Sequence, residues 1–219
     1  MTEEYPSVRM SGAQGAPRPS AFPRARLTSP AVLSGAHTDH AFDLARCLLA
    51  REFPQRWEHS QGAAAGASRL APILGKHSEV VRAAALLHDI GYASTVSRTG
   101  FHPLDGARYL RGLGVDQRVV SLVAHHTFAL LEAELRELRE PLEGEFELPP
   151  QELQDAMVYC DMTSALNGQL TTSRVRTAEI LIRYGTESIV GRFITRAEPL
   201  IHAAVARVVD RLDRAGESV

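Results

Sequence analysis

The chain has 219 residues, 24 Lys and Arg against 26 Asp and Glu, nine histidines and two cysteines. That length buries a core without disulfides or a structural metal, and a formal net charge of −2 argues against extended nucleic acid or an anionic membrane as a partner. Cys47 and Cys160 give no disulfide framework or thiolate metal site, and no apolar run approaches the roughly 20 residues that span a bilayer. The expectation is therefore a soluble, cytoplasmic, single domain.

Residues 1–35 are rich in Pro, Gly, Ala and Arg, with little hydrophobic periodicity, and read as a disordered tail. Ala31-Val32-Leu33 is too short an apolar stretch for a signal peptide. From Thr38 onward apolar residues recur at spacings of three and four and nothing alternates long enough to be a strand, so residues 36–215 are expected to form one all-α domain. Thr38 or Asp39 can cap a helix running to about Phe53, which Pro54 ends. A second helix carries His59, Ala63, Gly66 and Leu70 on one stripe. Ser78 can cap a third, with Val80, Val81, Ala84 and Leu87 inward, ending at Gly91 in a left-handed turn. Pro103 opens a short helix to Leu110, and another spans about Asp116 to His126. In the charged stretch from Glu132 to Glu147 the first half can be helical, and Pro141 to Pro150 reads as a loop. The remaining helices cover about Gln151 to Ser164, Arg174 to Tyr184 and Glu187 to Arg214, the last kinked at Pro199.

The third helix carries the chemistry, because its apolar stripe runs directly onto His88 and Asp89. A buried carboxylate is expensive unless a cation or hydrogen bonds meet it, and a metal ion beside an imidazole is a common solution. His59 lies on the preceding helix above small residues, and Asp161 lies beside the inward stripe of Leu153, Met157 and Cys160. His125 and His126 end an apolar helix, so at least one faces inward, and His102 precedes a helix start from which a loop imidazole can reach across a cleft. Imidazole and carboxylate donors without thiolates suit Mn, Fe, Co, Ni or Zn. His37, His40, His77 and His202 have blander readings as surface or packed residues, and so has the arginine face of Arg174, Arg176 and Arg183, although an arginine near a metal would suit phosphate recognition. Tyr92 and Cys160 read as packing beside the proposed ligands.

His59, the pair His88-Asp89 within Leu87-His88-Asp89-Ile90-Gly91, and Asp161 together resemble the His…His-Asp…Asp signature of the HD-domain superfamily of metal-dependent phosphohydrolases. Phe101-His102-Pro103 and Leu122-Val123-Ala124-His125 resemble the additional histidine segments of its dinuclear subfamilies, and His126 completes a His-His pair like that of the HD-GYP group. The resemblance implies an HD-type helical bundle. It places a first metal on His59, His88, Asp89 and Asp161, with His88 and Asp89 at the catalytic centre. A second metal would be held by Asp89, His102 and His125, and His126 is a further candidate. The lysine that follows His-Asp-Ile-Gly in HD-GYP proteins is Tyr92 here and no Gly-Tyr-Pro follows the His-His pair, which argues against cyclic di-GMP as substrate. The implied activity is hydrolysis of a nucleotide or other small phosphate ester by metal-activated water, with one or two divalent transition-metal ions as cofactor. The same ligand order also resembles the di-iron oxygenases of the myo-inositol oxygenase type, and a non-catalytic metal- or nucleotide-binding HD module is the third alternative.

Overall fold

The structure is a computed structural model that describes residues 36–217. The tail expected over residues 1–35 lies outside the described residues. Helix α1 (Ala36–Leu49) is followed by α2 (Pro54–Arg69). Helix α1 thus stops at Leu49, short of the expected end near Phe53, and Pro54 opens α2, in a first turn where its missing N–H removes no intrahelical bond. After the short α3 (Ala71–Leu74), α4 (His77–Leu87) begins one residue before the expected cap. Ser78 does not cap it, because its hydroxyl donates to the Gly75 carbonyl at 2.8 Å. Helix α4 packs against α1 and α2 and is buried on nearly every side, from Val80 to Leu87.

Regular α4 stops at Leu87, and a single tight turn over Ile90–Tyr92 follows His88 and Asp89. Gly91 has no left-handed backbone, contrary to expectation. It is required by close approach, since a Cβ there would lie 2.0 Å from the carbonyl oxygen of His102. That contact brings the start of α5 (His102–Gly112) against the end of α4. Helix α6 (Gln117–His125) is capped by the Asp116 carboxylate, which accepts the Arg118 N–H. The chain then turns sharply through Thr127 (φ 47°) and Phe128 (φ 59°), a left-handed conformation that a β-branched residue rarely adopts.

Helices α7 (Ala129–Leu135) and α8 (Arg139–Glu145) follow. The first half of the expected Pro141–Pro150 loop is therefore helical, because Pro141 falls in the first turn of α8, where its missing donor is tolerated. The last three helices are α9 (Gln151–Met162), α10 (Ser173–Tyr184) and α11 (Ile189–Arg214), with Pro199 inside α11. Among the described residues the sole β feature is an isolated bridge between Ser164 and Leu170, and no helix is long and apolar enough to cross a membrane.

Helix α9 is the axis of the bundle. Its Leu153, Ala156, Met157 and Cys160 join one apolar cluster with α1, α2, α4, α5 and α6, while Val158 and Met162 join a second with α10 and α11. Asp161 falls on the seam between the two clusters, and the cleft opens there.

Candidate metal centre

His59 is positioned by a tight backbone crossing. The segment after α9 lies directly on α2: a Cβ on Gly62 would meet the Gly168 oxygen at 2.3 Å, and one on Gly168 would meet the Glu58 oxygen at 2.5 Å. This crossing sets the Ala165 carbonyl 3.3 Å from His59 Nδ1. A carbonyl can only accept, and so can the Asp161 carboxylate 3.1 Å from Nε2, so each ring nitrogen of His59 faces an acceptor. The carbonyl contact recurs twice: His88 Nδ1 donates to the Ala85 carbonyl at 2.8 Å and His126 Nδ1 to the Val123 carbonyl at 2.7 Å. In each ring this contact turns Nε2 toward the cleft.

These Nε2 atoms lie beside two carboxylates. Asp161 Oδ1 lies 3.1 Å from His59 Nε2 and 3.9 Å from His88 Nε2, and its Oδ2 accepts the Thr127 hydroxyl, which the left-handed turn aims inward. Asp89 Oδ2 accepts from Arg56 at 3.0 Å, and its Oδ1 lies 3.6 Å from His102 Nε2. Burial opposes ionisation of both acids, yet Arg56 and the surrounding imidazoles hold the Asp89 carboxyl well below the usual carboxylate range. The His59 hydrogen bond, then His88, does the same for Asp161. Arg56 itself is clamped: its guanidinium lies 3.3 Å above the Tyr92 ring, donates to the Tyr184 hydroxyl at 3.2 Å, and leaves the other face of Tyr92 to stack on His102 at 4.1 Å.

The residues fit a cation. His59, His88 and Asp89 each offer a ligand atom within 4.8 Å of the other two, and Asp161 borders the same space. Imidazole nitrogens and carboxylate oxygens gathered this closely suit a shared divalent ion, whose binding displaces any proton held between them. A second such space lies alongside, where His102 Nε2 and His126 Nε2 are 3.1 Å apart with Asp89 Oδ1 beside them. Burial, followed by the neighbouring His126, lowers the proton affinity of His102. Burial and then His88 do so for His126, so both rings favour the neutral form that binds metal.

The HD domain family profile matches residues 56–215. The chain belongs to the HD domain family. Ribonuclease Y of Chloroflexus aurantiacus is 34% identical over 104 residues, which is 47% of this chain and 20% of that protein. This chain thus matches about a fifth of the length of that curated relative. No solved structure matches.

Within this HD domain the structure brings together His59, His88, Asp89, His102, His126 and Asp161, and it does not bring His125 with them. His125 is fully buried, and its Nε2 donates to the Phe146 carbonyl at 2.9 Å, away from the cleft. The expected order of the two histidines is therefore reversed. His125 is in phase with Val119 and Leu122 and packs in the core as they do, whereas His126 leaves the helix (ψ 147°) and swings back over Val123. His202 is packed, as expected, between the Ser173 hydroxyl and Glu198. Burial pushes the Cys160 thiol up, which leaves it inert.

Sequence reasoning missed Arg56 and Thr127. Arg56 lies one helical turn before His59, so the spacing was a usable signal, whereas Thr127 depends on a turn that local pattern does not encode. The arginine face was also misread in part. Arg174 is exposed, but Arg176 is buried, and Arg176, Ile180, Arg183 and Tyr184 line the cleft from α10 at intervals of four, three and one. With Phe193 and Ile194 of α11 they share with the histidines the lining of a cleft of about 600 Å³, its open mouth included.

Proposed function

We propose that this HD domain is a metal-dependent phosphohydrolase acting on a nucleotide or other small phosphate ester. The observation that carries the reading is the convergence of carbonyl-fixed imidazoles and two depressed carboxyls beside Arg56. His59, His88, Asp89 and Asp161 would hold a first ion, and Asp89, His102 and His126 a second. The chemistry such ions supply when bound is water made acidic near neutral pH and neutralised phosphate charge. Arg56 keeps Asp89 ionised and oriented. Thr127 and His59 fix both oxygens of Asp161, and the apolar side chains of Ile180, Phe193 and Ile194 would shield part of the substrate from water.

The test is metal analysis joined to a screen of phosphomonoesters and phosphodiesters with Mn, Fe, Co, Ni and Zn supplied. Turnover that requires metal and vanishes in His88→Ala supports the reading. Oxygen consumption with iron, and no phosphate release, would favour the oxygenase chemistry that shares these ligands. No turnover at all, with metal bound, would favour a binding module. A second reading, cleavage of RNA phosphodiesters, is favoured by the similarity to a protein named Ribonuclease Y. The expected exclusion of nucleic acid, which rested on net charge, finds no support beside that similarity. A single-stranded RNA oligonucleotide therefore belongs in the same screen.

A further inference from the structure

Arg176 is the least satisfied charged group in the cleft. Its side chain is 8% exposed, and among the described residues its hydrogen bonding is limited to Glu179, at 2.6 Å. Its Nε is buried without a partner. A guanidinium has five donors, and a buried one is stable only when most of them are met. Glu179 cannot neutralise it alone, because the same carboxylate also pairs with Arg183 at 3.2 Å. One acid thus serves two arginines, and the α10 wall keeps an excess positive charge.

The carboxylates that line the cleft are committed elsewhere. Asp89 is taken by Arg56, Asp161 by His59 and Thr127, and Glu132 by Arg136 at 2.7 Å. The α10 and α11 side chains between the arginines and the seam, Ile180, Phe193 and Ile194, offer no acceptor at all. Nor can Arg176 readily move away. Thr172 caps α10 by accepting the Val175 N–H, Ser173 bonds His202, and Thr177 donates to Glu198 at 3.0 Å, so α10 is tied to α11 on both sides of position 176. Among the described residues no further acceptor reaches the guanidinium, and an anion entering the cleft would supply one.

We infer that Arg176, with Arg183, is an anion subsite in the same cleft as the metal centre, so that the substrate class is an organic phosphate carrying a second anionic group on a short carbon scaffold. This rests on the phosphohydrolase reading above. One phosphoryl group would meet the His and Asp side, the carbon scaffold would lie against Ile180 and Phe193, and the second anion would take the free donors of Arg176 in charge-assisted hydrogen bonds.

The test uses two compounds with no scissile ester, methylphosphonate and trimethylene bisphosphonate, titrated calorimetrically into the manganese-loaded full chain. The wild type is expected to prefer the bisphosphonate by about tenfold, the value of one good charge-assisted contact. Arg176→Gln should remove that preference while methylphosphonate affinity and bound metal change less than about threefold. Arg176→Lys, which keeps the charge and loses the fork, should restore part of it, which a purely structural role for the side chain would not produce. If methylphosphonate binds and the second group adds nothing, or if the preference survives in Arg176→Gln, the subsite is wrong and the phosphohydrolase reading stands. If neither compound binds the metal-loaded protein, both fall together.

Discussion

On the α2, α4 and α6 side of the cleft, the imidazoles of His59, His88 and His126 are each locked by a backbone carbonyl, and Asp89 and Asp161 have partners for both oxygens. On the α10 side the charged group deepest in the wall, Arg176, has a single shared partner and an orphaned Nε. Rigid, fully oriented donors suit an ion whose coordination is demanding. An under-bonded guanidinium suits a ligand that comes and goes, because the missing partner arrives with it. The two sides of one cleft thus divide the work of binding between a fixed metal and an exchangeable anion.

The comparison is most easily broken on the histidine side. His88→Ala or Asp89→Ala should lower metal affinity on the order of 100-fold or more, read as ions per chain after dialysis. Full metal content in either variant would mean that the lone pairs do not converge on an ion. Next in size is Gly91→Ala, whose Cβ would fall 2.0 Å from the His102 oxygen. Because the obstacle is backbone, it should destabilise the fold by about 1–3 kcal/mol, with a lower Tm and poorer occupancy of any second ion, since His102 must shift.

The adjacent histidines sharpen the contrast further. His126→Ala should reduce the ions bound at saturation and leave the fold largely intact. His125→Ala should keep the metal and reduce stability by about 1–3 kcal/mol, because the buried Phe146 carbonyl loses its donor. Identical metal content in the two variants would contradict the geometry. The smallest effect lies outside the cleft, at Glu145, whose carboxyl is held below its usual range by hydrogen bonds from Arg108 and then Arg111. A depressed carboxyl contributes stability above its unfolded value and loses it as pH falls through the folded one. Replacing Glu145 with Gln should therefore flatten the acid limb of the stability profile slightly, by less than about 1 kcal/mol.

Several buried acids show where sequence reading stops. Asp155 and Asp161 sit on the same face-rich helix, both buried, yet Asp155 is held bidentately by Arg207 at 2.6 and 2.7 Å while Asp161 faces His59 and His88. Asp105 is buried too, and backbone N–H groups of Arg98, Thr99 and Gly100 satisfy it. Asp89 and Asp161 stood out by their neighbours in the motif, and nothing in local pattern explains Asp105 or Asp155, because their partners are distant in sequence or lie in the backbone of a loop. The orientation of His125 and His126 was equally hidden, since it turns on two residues of left-handed backbone.

By itself the sequence determined the helical class, the order of the helices and most of the residues that meet in the cleft, because spacings of three and four specify a buried face and polar residues on that face demand an explanation. Tertiary structure alone decided what His59 meets, which of two neighbouring histidines turns inward, and that Arg56 and Arg176 line one cleft. While His88 and His126 are held by carbonyls three residues back, the carbonyl against His59 and the approach of His102 depend on close backbone crossings at Gly62, Gly91 and Gly168. Such crossings join segments far apart in the chain, so no local pattern can announce them.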